Sequence, residues 1–123
     1  MKLLNDLYRI INCCQYKECV DYNLELNQDN FIYKAHFPNE PITPGVCIIQ
    51  IALELLEEQF KRPLEIIQVK NVKFLSIISP IVSKNITYCF SKISTDELNY
   101  IKAQIVVMSD SNSPLAKISL YCK

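Results

Sequence analysis

His36 and Gly45 are the only histidine and the only glycine of this 123-residue chain, and they stand nine positions apart. Pro38, Pro41 and Pro44 lie between them, and the most strongly helical pattern of the sequence follows. A histidine exchanges a proton near neutral pH. A glycine at a helix start lets a ligand come close to backbone N–H groups that have no partner in the helix. Prolines stiffen the turn that separates the two. Proton removal beside a carbonyl, with the carbonyl oxygen held by an N–H, is chemistry suited to an acyl thioester.

Such residues act only if the surrounding elements hold them. Thr43-Pro44-Gly45 reads as a helix start, with Thr43 as N-cap and Pro44 at the first helical position. The pattern runs to about Lys61, and Pro63 ends it. Its first half, Val46 to Leu56, is apolar nearly all round, the mark of a buried helix. Lys17 to Leu26 alternates with period two and predicts a half-buried strand, closed by a turn at Gln28-Asp29-Asn30. Leu3 to Ile11 reads as a short helical turn at its start, and Phe31 to Lys34 as a lead into the His36 segment. After the helix, strands are expected at Leu64 to Ile78, with a break at Lys70-Asn71, and at Asn85 to Ile93. Two more follow at Leu98 to Met108 and Leu115 to Cys122. Turns fall at Ser94-Thr95-Asp96 and at Ser109 to Pro114. One buried helix wrapped by a curved antiparallel sheet is an α+β layout in a single domain, 1–123. The tyrosines and phenylalanines, mostly at strand positions, read as core and sheet-face residues.

Composition narrows the function. Lys and Arg total 13, as do Asp and Glu, so no field draws the chain to nucleic acid. No stretch approaches the ~18 apolar residues of a membrane span. Asn5, Asp6 and Arg9 interrupt any signal-peptide core, so a cytoplasmic setting is expected. There the six cysteines read as reduced, small core residues. They show no CxxC pair and no zinc spacing, so no metal is expected. Cys47 near the helix start could have a lowered pKa, though a core thiol is the simpler reading.

His36-Phe37-Pro38, Pro41 and Pro44-Gly45-Val46 resemble the signature HFPGxPxMPGV of the hotdog-fold 3-hydroxyacyl-acyl carrier protein dehydratases. A second match is Val72-Lys73-Phe74 with Pro80 six residues beyond, similar to that family's KFRxPVxPGD strand. The resemblance spans about Tyr8 to the end of the chain. It implies a hotdog fold, a homodimer or higher oligomer with sites at the subunit interface, and no metal or redox cofactor. It also implies loss of water from a 3-hydroxyacyl thioester on phosphopantetheine, giving the trans-2-enoyl thioester. His36 falls at the catalytic histidine and Gly45 at the carbonyl-binding glycine, with Phe37, Pro44 and Val46 beside the substrate.

The chain departs from the signature at one telling place. The family's carboxylate, fourteen positions after the histidine, is here Gln50, and the glutamine often found one turn later is Glu54. A glutamine can hold a hydroxyl but cannot protonate it at neutral pH. Either Glu54 takes the acid role from one turn away, or His36 works alone, or a partner subunit supplies the carboxylate across a heterodimer. Gln50, Glu54, Glu57 or Glu58, and Lys61 also form a stripe that is ordinarily a solvated helix face. Asn39 for the usual glycine, Thr43 for methionine and Ile81-Val82 for Gly-Asp alter the loops. The leading expectation is a dehydratase of fatty-acid or polyene-type lipid synthesis, with Gln50 orienting the β-hydroxyl. A non-catalytic or heterodimer-partner subunit is the alternative, and an acyl-thioesterase a further one. An acidic acyl carrier protein would need a basic patch, for which Lys61-Arg62, Lys70, Lys73 and Lys84 are candidates.

Overall fold

The computed structural model describes residues 2–36 and 39–123, without the side chain of His36. Two strands come first, β1 (Tyr8–Gln15) and β2 (Cys19–Leu26), followed by a short helix α1 (Phe31–His36) and the long helix α2 (Gly45–Phe60). Four strands complete the chain: β3 (Ile66–Phe74), β4 (Asn85–Thr95), β5 (Ile101–Ser109) and β6 (Pro114–Cys122). They form one antiparallel sheet in the order β1-β2-β4-β5-β6-β3, which leaves β1 and β3 as open edges. This is the expected α+β architecture: a sheet, not closed into a barrel, with one long buried helix.

Period-two alternation makes one face of the central strands apolar. Leu24, Tyr88, Phe90, Ile105 and Leu120 point inward and are almost fully buried. Against them α2 buries Cys47, Ile48, Ile51, Ala52, Leu55 and Leu56. The Tyr88 hydroxyl donates to the Ile48 carbonyl at 2.9 Å and fixes the height of the helix over the sheet.

Several local expectations are corrected. The Leu3 to Ile11 region supplies an edge strand, β1, whose bulge between Ile10 and Asn12 breaks any clean alternation. Phe31 to His36 is a helix, begun where the Asn30 side chain accepts the Ile32 N–H at 2.9 Å. Thr43 does not cap α2. Pro44 is the N-cap residue, and its carbonyl accepts the N–H groups of Cys47 and Ile48. The expected break at Lys70-Asn71 is a register shift between Val69 and Asn71, inside a strand that continues. The turn expected at Ser94 to Asp96 lies slightly later, where Asp96 accepts the N–H groups of Leu98 and Tyr100. Left-handed backbone occurs at Asn5, Lys61, Lys92, Asn99 and Asn112, with φ between 50° and 66°, and at no glycine.

Candidate functional site

The start of α2 is built by three segments converging. The Thr43 N–H donates to the Ile78 carbonyl at 2.8 Å, tying the helix entry to the stretch after β3. The Thr43 hydroxyl shares a 3.0 Å hydrogen bond with Tyr33 on α1. Because Tyr33 is buried, this bond holds the short helix that ends at His36 against the entry of α2. The His36 side chain, Phe37 and Pro38 lie outside the described residues.

Gly45 opens α2, so its N–H is among those that no carbonyl of the helix can accept. The sixteen-residue helix places the positive end of its dipole there. A Cβ on Gly45 would come within 2.8 Å of Phe74 Cζ. The glycine therefore admits an aromatic ring from β3 against bare backbone. Beside this contact lies a cavity of about 420 Å³, lined by Ile42, Thr43, Gly45, Ile48 and residues 74–78. Pro44 is half-buried, whereas Val46 is exposed, so the two residues flanking Gly45 face different surroundings. Phe74 belongs to the second sequence motif, but its contact with Gly45 joins residues 29 positions apart in sequence and is not readable from spacing.

Gln50 and Glu54 are joined, as their one-turn spacing allows: Gln50 Nε2 donates to Glu54 Oε2 at 2.9 Å. Glu54 is fully buried, which corrects the expectation of a solvated face at that position. Its Oε2 also accepts the Leu3 N–H at 2.8 Å. Its Oε1 accepts the Leu4 N–H at 2.8 Å and the Tyr8 hydroxyl at 3.0 Å. Four donors thus converge on one carboxylate, two on each oxygen, and pin the start of the chain to the middle of the helix. Burial and the neighbouring Glu54 charge push the Tyr8 phenol far up. Burial, helped by Glu54, also raises Cys47, which fits the core thiol expected there and not a thiol activated by the helix start.

The basic candidates are dispersed. Lys61 and Arg62 follow the C-terminal end of α2, about 24 Å from Gly45 at the rise of an α-helix. Lys84 lies 3.9 Å from Glu25, and Lys70 sits over the Tyr121 ring. Lys73 faces Lys117 across β3 and β6, one residue from Phe74. The cysteines are not all core residues: Cys47 and Cys122 are buried, Cys13 is exposed, and Cys14, Cys19 and Cys89 are half-buried. Among the described residues no helix is long and apolar enough to cross a membrane.

Comparison with known proteins matches residues 12–110 to the ApeI-like family, described as ApeI dehydratase. No curated protein matches the chain significantly. Among solved structures, the dehydratase heterocomplex ApeI:P from Xenorhabdus doucetiae is 18% identical, with a TM-score of 0.65 over 93% of this chain and 96% of that one. A mutant thioesterase from Pseudomonas aeruginosa is 13% identical, with a TM-score of 0.66 over 94% of this chain and 78% of that one. The dehydratase domain from the CurK module of curacin polyketide synthase is 16% identical, with a TM-score of 0.54 over 96% of this chain and 43% of that one. At these identities the structural likeness establishes a shared hotdog fold.

Proposed function

Since this chain belongs to the ApeI-like dehydratase family, we propose that it removes water from a 3-hydroxyacyl thioester carried on the phosphopantetheine of an acyl carrier protein. The observation that carries this reading is the helix start, where Gly45 and Phe74 border an apolar cavity. The thioester carbonyl accepts the Gly45 N–H, and the acyl chain lies along Ile48 and Ile77. His36 takes the α-proton. The enolate oxygen that develops is stabilised by the N–H and the helix dipole. The β-hydroxyl then leaves as water, with the proton returned to it by the His36 imidazolium. Gln50 holds that hydroxyl, and Glu54 holds Gln50. On this reading Glu54 is a positioning residue, because each of its oxygens already accepts two hydrogen bonds. Lys73, next to Phe74 in sequence, and Lys117, which faces it across β3 and β6, are the favoured contact for an acidic carrier.

The test is enoyl formation from 3-hydroxyacyl thioesters on a carrier protein. His36→Ala should lose about 10²–10⁴-fold in rate, the usual contribution of a general base. Release of free thiol without enoyl product would overturn the reading in favour of a thioesterase.

A second reading is favoured by Gln50, which cannot protonate a leaving hydroxyl. Here the chain is one half of a heterodimer, as in the ApeI:P heterocomplex it resembles. The open β3 edge, with Ile67 and Val69 exposed, would receive the other subunit. Activity that appears only with that subunit, or on Gln50→Glu, is the expected sign. Full activity of the isolated wild-type chain excludes it.

A further inference from the structure

On the outer face of the sheet lies a cluster that dehydration does not use. Asp21 on β2 stands opposite Cys14 on β1 and opposite Cys89 on β4. Directly paired residues share a face, so the three side chains form a row across three strands. Cys19, two residues before Asp21, projects to the same face. One ligand atom each from Cys19, Asp21 and Cys89 lies within 4.8 Å of the other two. A tetrahedral zinc site, with Zn–S near 2.3 Å and Zn–O of about 2.0–2.2 Å, needs its ligand atoms roughly 3.5–4 Å apart. Side-chain adjustments of about 1 Å close that difference.

A second observation points the same way. In the half-buried Asp21 side chain, Oδ1 is shielded from solvent and accepts no hydrogen bond from outside the cluster, where the Cys89 thiol is the neighbouring donor. The ion pairs among the described residues engage Glu25, not Asp21. A shielded carboxylate oxygen with only a weak thiol donor beside it is costly, and a cation would satisfy it. Two thiols beside it make the set soft and select against magnesium or calcium.

We propose that Cys19, Asp21 and Cys89 form a binding site for a zinc-type divalent cation, with water in the fourth position. Both thiols release their protons to solvent as the cation binds, leaving two thiolates and one carboxylate on the metal. The cation joins β2 to β4. It lies on the face opposite α2 and takes no part in the chemistry at Gly45.

Cobalt(II) titration of the reduced, metal-free full-length protein tests this directly. One equivalent should bind, with a thiolate-to-cobalt charge-transfer band and tetrahedral visible bands, both erased by added zinc. Cys19→Ser, Cys89→Ser and the near-isosteric Asp21→Asn should each weaken uptake by at least about tenfold. Cys13→Ser, on the other face of β1, should leave it unchanged. Circular dichroism confirms that each variant is folded, and Asp21→Asn keeps the test valid if a cysteine variant is not. Absence of the charge-transfer band would overturn the proposal. So would uptake that survives the Cys19→Ser/Cys89→Ser double variant, or oxidation to a disulfide with no metal bound.

Discussion

Glu54 and Asp96 accept nearly the same set of donors in opposite surroundings. Each takes two backbone N–H groups and a tyrosine hydroxyl: Leu3, Leu4 and Tyr8 for Glu54, and Leu98, Tyr100 and Tyr121 for Asp96. Glu54 sits in the core, where water cannot replace a lost partner. Asp96 lies at a surface turn, where it can. The contrast teaches that the hydrogen-bond pattern alone does not set what a carboxylate is worth; the cost of leaving its donors unpaired does.

The largest effect should follow from emptying the buried site. Glu54→Leu takes the acceptor from four donors, and because the half-buried Gln50 amide and relaxation recover part of the roughly 1–3 kcal/mol each, the loss should be on the order of 3–5 kcal/mol. Urea unfolding measures it, and Asp96→Ala should shift the midpoint far less. Equal shifts would break the comparison. Gly45→Ala sharpens it from the other side. The clash falls on the half-exposed ring end of Phe74, which can move, so the unfolding midpoint should stay close to that of the wild type. Alanine keeps the backbone N–H, but its Cβ and the displaced Phe74 ring obstruct the thioester's approach to it, so kcat/KM should drop, by up to the roughly 10²–10³ that losing an oxyanion donor costs. The smallest effect is at alkaline pH. The hydrogen bond to Asp96, chiefly, pushes Tyr121 from 10.0 to about 12. A raised pKa contributes stability that is fully present below 10 and fades as pH rises through about 12. Tyr121→Phe should remove that decline from a plot of urea midpoint against pH. Asp96, held below its usual value first by Tyr121, acts with the opposite sign: its contribution is lost as pH falls through the lowered value.

Much of this was legible in the sequence, for physical reasons. The apolar run after Pro44 has the helical period, and four long strands follow it, so helix-on-sheet was readable without any contact information. The first motif located the helix start because it combines glycine, proline and a boundary. What escaped was non-local or unpatterned. β1 is a bulged edge strand, mostly exposed on both faces, so it has no alternation to read. Thr43 looks like a cap, but its hydroxyl is taken by Tyr33. Glu54 looks solvated because charged residues usually are, and only its pairing with residues 46 to 51 positions away reverses that. The Cys19–Asp21–Cys89 cluster joins strands about 70 residues apart, out of reach of any spacing rule.

The left-handed residues noted in the fold have a practical meaning for protein engineering. The chain has one glycine, and it stands at a helix start, so among the described residues the five positive-φ positions are filled by asparagine or lysine. Lysine there carries a steric penalty of about 1–2 kcal/mol that glycine would avoid, part of it offset by the greater freedom of glycine in the unfolded chain. Lys61, at the C-terminal end of α2, and Lys92, at the β4 bulge, are therefore reserves of unused stability away from Gly45 and Gln50. A background strengthened at those two turns could carry damaging substitutions at Glu54 in folded form, so that their effect on chemistry is read apart from their effect on the fold.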